Sequence, residues 1–198
     1  MKRGSMRSWL SVSLMMLLTS QAGAVQAKSP HSGNHFTRDN EWKLAGLLPG
    51  RTSLSRAEII LGEASQERGG ETLMWHTCYG DFVMVDADRQ GIIQSVRVSK
   101  NLGEQRKNDC YKAVRGVSKW ATGKGLRLGS TVSRVLRLYG APDSRSPSTK
   151  DGQRLELLYY AFDWAGPDVP QVMQVLCTIG KDGEPGRVVE IMLAASSL

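Results

Sequence analysis

The sequence has few of the residues from which catalytic and metal sites are usually built. Its 198 residues include only three cysteines and three histidines, and aromatic residues make up 7%. None of the GxSxG, HExxH, GxGxxG or Walker motifs occurs. His76 and the cysteines also lack the close ligand spacing of a zinc site. We therefore predict a protein that is not an enzyme and that needs no cofactor and no metal ion.

The sequence also lacks a hydrophobic run long enough to cross a membrane as a helix. The apolar stretch from Trp9 to Leu18 is roughly half of the length that a spanning helix requires, and no later run approaches that length. Basic residues precede this stretch and small residues follow it, with cleavage sites after Ala24 and Ala27, which is the pattern of a signal peptide. We predict that residues 1–27 are the signal peptide and that the mature protein is periplasmic or secreted, without a membrane segment or a lipid anchor.

Charge is only mildly unbalanced in the mature chain. The formal net charge is +7, and removing the three basic residues of the signal peptide lowers it to +4. Such a small excess does not favour nucleic acid as a partner. Basic residues are concentrated between positions 100 and 124, where Lys112, Arg115 and Lys119 are candidates for contact with an acidic partner or with anionic envelope material.

The three cysteines allow one disulfide bond in an oxidising compartment. Cys177 lies on the apolar face of the alternating segment QVMQVLCTI, so we expect it to be buried and unreactive. We predict a disulfide between Cys78 and Cys110, although the sequence alone permits all three pairings. As a remote alternative, His76 and Cys78 would point to the same face of one strand and form the thiol and imidazole pair of a hydrolase.

A complete helix signal occurs in the stretch GSTVSRVLRLYGAPD, residues 129–143. Thr131 is a suitable N-cap, Gly140 supplies a left-handed C-terminal residue, and Pro142 prevents the helix from continuing. Apolar residues follow the cap at helical spacing, at Val132, Val135, Leu136 and Tyr139. The pattern predicts a short helix with a sharp end.

A weaker copy of this helix signal aligns Ser53 with Thr131 and Gly62 with Gly140. Three predicted strands follow each copy. They are ETLMWHTCY, DFVMVDA and GIIQSVRVS in the first half, and RLELLYYAFDW, QVMQVLCTI and GRVVEIMLA in the second. Alternation in the last strand of each set directs four residues away from the core, Ser95, Arg97, Glu190 and Met192.

These patterns predict an α+β fold made of two tandem repeats. Each repeat would pack short helices on one face of its own three- or four-stranded antiparallel sheet. We expect a flexible N-terminal segment at residues 28–40, a first repeat with a helix and three strands at 41–100, and a second repeat with helices and three strands at 101–198.

The pattern Leu128-Gly129-x-Thr131-x-x-x-Val135-x-x-x-Tyr139-Gly140-x-Pro142, followed by a polar turn and an aromatic strand, resembles a known family. It is similar to the small envelope domain of the SmpA/OmlA (BamE) outer-membrane lipoproteins, and two such units in tandem resemble the beta-lactamase inhibitor protein (BLIP). The resemblance covers roughly residues 41–198, with Ala64 in place of the proline in the first repeat. What it implies is a module for protein contact without catalytic machinery.

Aromatic residues are the candidates for the contact surface. One predicted strand face carries Tyr160, Phe162 and Trp164, and Trp75 and Tyr79 share a face in the first repeat. If helices cover one side of the sheet, these rings are exposed on the other, where Tyr and Trp commonly anchor partners. The equal alternative is that the rings pack between the two repeats.

The sequence therefore favours a protein that binds another exported or envelope protein. Inhibition of an exported hydrolase and scaffolding in envelope assembly are two forms of this function. The alternative is a module that binds a small ligand or an anionic envelope polymer through the basic segment.

Two short motifs suggest ion or phosphate binding, but turns explain them better. The segment DADRQG at residues 86–91 begins like a calcium loop, yet Arg97 stands where the loop needs a bidentate carboxylate. The segment GKG at residues 123–125 lacks the upstream glycine and the following Ser or Thr of a phosphate loop. We predict a hairpin turn for the first and a connecting turn for the second.

Overall fold

The computed structural model describes residues 40–68, 71–103, 120–162, 172–180 and 185–195. These ranges contain two helices, α1 (Leu54–Leu61) and α2 (Val132–Tyr139). They also contain eight strands, β1 (Gln66–Arg68), β2 (Thr72–His76), β3 (Phe82–Ala87), β4 (Ile93–Ser99), β5 (Ser144–Lys150), β6 (Gln153–Ala161), β7 (Val172–Thr178) and β8 (Val188–Ala194). Neither helix has the length and hydropathy that a membrane crossing requires. The predicted signal peptide and most of the predicted flexible segment lie outside the described residues.

All eight strands belong to one antiparallel sheet, in the order β1-β2-β3-β4-β8-β7-β6-β5. Strands β1 to β4 form one meander and strands β5 to β8 form another, since each strand pairs with the next along the chain. The two meanders join where β4 pairs with β8, with Val98 opposite Ile191. The sheet is therefore continuous across the whole described chain.

The predicted fold class is wrong. We expected an α+β protein of two tandem repeats, each with its own sheet, but the described chain is mainly β, with one eight-stranded sheet and two short helices. The pairing of β4 with β8 brings together residues that are far apart in the chain. Local sequence patterns specify hairpins and helix ends, but they do not record which distant strand edges pair.

Both helices begin and end at the residues that the sequence predicts. The Thr131 hydroxyl accepts a hydrogen bond from the Arg134 backbone N–H at 3.3 Å, and Gly140 has a φ of 74°. In α1 the Ser53 hydroxyl accepts from the Arg56 N–H at 3.3 Å, and Gly62 has a φ of 92°. Side-chain caps and a left-handed glycine confine each helix to eight residues.

The helices pack on one face of the sheet, and the hydrophobic core lies between the helices and the sheet. Tyr139 of α2 and Tyr160 of β6 contact each other with ring centroids 5.8 Å apart. The Trp75 indole N–H donates to the Gly62 carbonyl oxygen at 2.8 Å, which ties β2 to the end of α1. The core contains alternate residues of the central strands, including Val83, Val85, Val96, Val98, Leu158, Met173, Val175, Ile191 and Leu193.

The sheet curls strongly toward the face that the helices do not cover. Lys150 lies on the edge strand β5, yet its Nζ is 2.6 Å from Glu190 Oε2 on β8 and 5.4 Å from the ring centroid of Phe82 on β3. In a flat sheet β5 and β3 would be about 24 Å apart, beyond the reach of one lysine side chain. At the hairpin tip, Gln153 Nε2 donates to the Leu102 carbonyl oxygen at 3.2 Å. The β5–β6 hairpin therefore curls back over this face, which we call the concave face.

Candidate functional site: the concave face of the sheet

The concave face is lined by alternate residues of six strands that are adjacent in the sheet, in the order β2, β3, β4, β8, β7 and β6. Cross-strand pairing places its side chains in two rows. The first row is Met74, Met84, Arg97, Met192, Gln174 and Tyr159. The second row is His76, Phe82, Ser99, Glu190, Leu176 and Leu157.

Most side chains of the concave face are half-buried, and many are flexible and apolar. Of the twelve residues in the two rows, only Met192 and Ser99 are buried by their overall exposure. Methionine is unbranched and polarisable, so it adapts its shape to an irregular partner surface. The rigid sheet fixes the backbone beneath these adaptable side chains. The arrangement suits contact with another molecule better than it suits an internal core.

Arg97 lies at the centre of the first row, between Met84 on β3 and Met192 on β8. Its Nη2 is 3.4 Å from Met192 Sδ, and its Nε is 3.7 Å from Glu190 Oε1. The Nε atom is buried and, apart from this ion pair with Glu190, has no hydrogen-bond partner among the described residues. The Arg97 side chain as a whole is 35% exposed, and a guanidinium has five N–H donors, so part of its donor set is accessible to another molecule.

A polar cluster of Ser99, Lys150 and Glu190 closes one end of the concave face. The Ser99 hydroxyl donates to Glu190 Oε2 at 2.8 Å, and the Lys150 ammonium contacts both partners. A serine beside a lysine is also found in some hydrolases. Here the hydroxyl proton points to the carboxylate, and Ser99 is fully buried, so it does not present a nucleophile to a substrate. The cluster holds the hairpin tip against the sheet.

The acidic residues of the β3–β4 hairpin are engaged in local hydrogen bonds. Asp86 accepts from the hydroxyls of Thr72 at 2.9 Å and Ser95 at 2.8 Å. Asp88 Oδ1 accepts from the backbone N–H groups of Gln90 and Ile92. The predicted hairpin turn is confirmed, since β3 and β4 pair on either side of it. Among the described residues, no group of three His, Cys, Asp or Glu side chains is placed to hold a metal ion.

The structure places the predicted aromatic residues in different surroundings. Trp75 and Tyr160 are fully buried and Phe162 is 7% exposed, so of the two alternatives that the sequence left open, these three rings are packed and not exposed. Tyr79 is 72% exposed, and Trp164 lies outside the described residues. The helices cover the face that carries the largest rings, because those rings bury the most apolar area. On the concave face, β2 and β6 instead carry the residues that alternate with these rings, such as Met74 and Tyr159.

The predicted basic contacts, Lys112, Arg115 and Lys119, lie outside the described residues, and so does Cys110. Cys78 is half-buried and unbonded in the structure, and its pairing with Cys110 stays a prediction. The strand that we expected to carry both His76 and Cys78 is shorter than predicted. Strand β2 ends at His76, and Cys78 lies in the turn that follows.

The predicted burial of Cys177 is confirmed, since its side chain is fully buried in the core. Burial, together with the nearby charge of Glu156, raises the pKa of the Cys177 thiol from 9.0 to about 12. We expect this thiol to be unreactive toward a disulfide reagent near neutral pH and to react fully once the protein is unfolded.

The raised pKa also predicts the pH dependence of stability. The protonated thiol stabilises the folded state fully below the unfolded pKa of 9.0, and this contribution is lost as the pH rises through about 12. Thiol titration under native and denaturing conditions measures the reactivity. Rapid labelling of Cys177 in the native protein would contradict the prediction, and a Cys177→Ser variant identifies its signal.

Glu41 is an internal anion site that the sequence did not reveal. It is 2% exposed, and its carboxylate accepts from the backbone N–H groups of Gly123 at 2.9 Å and Lys124 at 3.1 Å. The Tyr139 hydroxyl donates to Glu41 Oε2 at 2.7 Å and also contacts the Thr122 hydroxyl at 2.7 Å. The GKG segment is the connecting turn that we predicted, and its backbone holds a carboxylate from the same chain.

The same arrangement changes the pKa of the Tyr139 phenol. Burial, with the Glu41 carboxylate beside it, raises the pKa of Tyr139 above its ordinary value of 10.0. The phenol therefore stays protonated and donates to Glu41 at all ordinary pH values. Glu41 connects the start of the described chain to α2.

Comparisons with known proteins identify no family for this chain. No family model matches the sequence, and no curated protein matches it significantly. Among solved structures, it is similar to a DUF4309 family protein (YjgB) from Bacillus subtilis, with 13% identity, 79% of this chain and 88% of that chain covered, and a TM-score of 0.43. A cysteine-rich secretory protein from Staphylococcus aureus shows 12% identity and a TM-score of 0.40, with 79% of this chain and 48% of that chain covered. Likenesses at this level carry no argument about function.

Proposed function

We propose that this chain is an exported protein without catalytic activity, and that it binds another exported or envelope protein through the concave face. The observation that carries the proposal is the position of Arg97, a partly exposed guanidinium at the centre of a methionine row. The signal-peptide pattern and the resemblance to the SmpA/OmlA and BLIP domains support the same function.

The chemistry of the concave face matches that of a protein interface. Arginine, methionine and aromatic residues are enriched at the centres of such interfaces, and the energetically dominant contacts commonly involve arginine. Phe82, Leu157 and Tyr159 surround the methionine row with further apolar area. A convex partner that offers a carboxylate or carbonyl oxygen would pair with the accessible N–H donors of Arg97.

A photo-crosslinking residue in place of Met84 is the first step of the test. The same residue in place of Arg137, which is exposed on α2, is the matched control. The proposal expects one major adduct from position 84 in cells that express the protein and none of the same mass from position 137. The captured protein is then purified, and its affinity for the wild-type chain is measured.

The Arg97→Met variant tests the role of the guanidinium. We expect the dissociation constant to rise about 30-fold, which corresponds to about 2 kcal/mol for loss of a central arginine. Methionine preserves the apolar stem and fits between Met84 and Met192, so the fold should be retained. Isothermal titration calorimetry with the purified partner measures the change.

An Arg89→Met variant supplies the control, because Arg89 is exposed in the β3–β4 turn and its loss changes the net charge equally. Equal affinities for wild type and Arg97→Met would refute the concave face as the binding surface. Loss of binding in a Lys112/Arg115/Lys119 triple variant alone would instead favour recognition of an anionic envelope polymer.

A further inference from the structure

Three arginines lie at the loop that precedes α2, with Arg127 in the loop itself and Arg134 and Arg187 in contact with it. Arg134 Nη2 donates to the Gly125 carbonyl oxygen at 3.3 Å, and Arg187 Nη1 donates to the Gly129 carbonyl oxygen at 3.2 Å. Arg127 lies between these two contact points and is exposed. A cavity of about 570 Å³ is lined by Gly125, Arg127, Leu128, Gly129, Ser130 and Arg134. We call Arg127, Arg134 and Arg187 the arginine cluster.

Among the described residues, no acidic side chain forms an ion pair with the arginine cluster. The acidic partners seen in these ranges pair with other residues, such as Arg97, Arg145 and Lys150. None of the six residues that line the cavity is acidic. Positive charges around one loop attract an anion, so an anion bound at this cavity would be stabilised.

Two of the three guanidinium groups are also held in place. Each of Arg134 and Arg187 donates to one carbonyl oxygen of the loop, and a guanidinium has five N–H donors, so other donors stay available. The loop itself is fixed, because the Gly129 N–H donates to the Val188 carbonyl at 2.8 Å and Leu126 is fully buried. Groups that are positioned in advance lose little conformational freedom when a ligand binds.

We propose that the arginine cluster binds a phosphate group. The planar guanidinium fork matches pairs of phosphate oxygens, and several arginines match the charge of a phosphate better than that of a single carboxylate. The group is carried either by a soluble phosphorylated molecule or by the headgroup of a phospholipid. The site is separate from the concave face, because the loop packs against the helix-covered core through Leu126.

The test uses the purified full chain at low salt with two probes, inorganic pyrophosphate and phosphatidylglycerol vesicles. Saturable binding to at least one probe is expected. The double variant Arg127→Gln/Arg134→Gln should raise the dissociation constant at least about tenfold, because it removes two charge-assisted contacts. The double variant Arg56→Gln/Arg89→Gln loses the same charge from exposed sites elsewhere and should change the dissociation constant less than about twofold.

A measurement on the wild-type chain does not depend on the folding of any variant. Titration with pyrophosphate or with short-chain phosphatidylglycerol should shift the amide resonances of Gly125 and Gly129 before those of the concave face. Binding of pyrophosphate alone assigns the site to soluble phosphates, and binding of vesicles alone assigns it to lipid headgroups. An equal loss in both double variants, or no saturable binding to either probe, overturns the proposal.

Discussion

Replacing Glu41 with alanine is expected to lower the free energy of unfolding by about 3–5 kcal/mol. The buried carboxylate accepts hydrogen bonds from the backbone of Trp42, Gly123 and Lys124 and from the Tyr139 hydroxyl. Without it the Trp42 and Lys124 N–H groups would lose this acceptor, and the start of the described chain would lose its link to α2. The Gly123 N–H would keep the Lys43 carbonyl oxygen at 3.0 Å, and the Tyr139 hydroxyl would keep Thr122. Urea denaturation followed by circular dichroism measures the loss.

Two variants make the Glu41 result interpretable. Glu41→Gln keeps an oxygen for the Gly123 N–H but turns an amide N–H toward Lys124, so an intermediate loss is expected. Glu58→Ala removes an exposed carboxylate from α1 and should change stability by less than about 0.5 kcal/mol. A Glu41→Ala protein as stable as Glu58→Ala would show that the carboxylate does not hold the fold.

Replacing Trp75 with alanine is expected to lower the free energy of unfolding by about 3–5 kcal/mol, as truncations of large buried rings do. The Trp75 side chain is fully buried in the core, and its N–H bond to Gly62 would also be lost. Tyr79→Ala is the matched control, because this ring is 72% exposed and its removal should change stability by less than about 0.5 kcal/mol.

The comparison between Trp75 and Tyr79 separates a packing role from a binding role. Both aromatic residues were candidates for partner contact, and the structure assigns them different surroundings. Thermal unfolding of the two alanine variants provides the measurement. A small loss for Trp75→Ala would mean that the ring is not part of the core and would restore it as a contact residue.

Local features of the fold are readable from the sequence because short-range chemistry determines them. Thr131 and Gly140 delimit α2, and the Asp88 side chain organises the turn between β3 and β4. Each of these features depends on contacts within a few residues. Caps and turns are therefore predictable without knowledge of the partner strands.

The features that escaped prediction depend on distant contacts. Alternation correctly directs Arg97 and Glu190 away from the helix-covered core, but it does not show that the sheet curls around them. The same alternation leaves both faces of β6 apolar, so the sequence could not decide whether Tyr159 or Tyr160 would be open. The donors that Glu41 binds at Gly123 and Tyr139 lie 82 and 98 residues later in the chain. No local pattern records such a contact.

The junction of β4 with β8 has a consequence for the order of folding. Every other strand pair joins neighbours in the chain, so each meander closes only short loops as it forms. The β4–β8 pair instead has to close the long segment between Val98 and Ile191. Contacts of such high sequence separation form slowly and limit the folding rate. The centre of the finished sheet is therefore the part that assembles last.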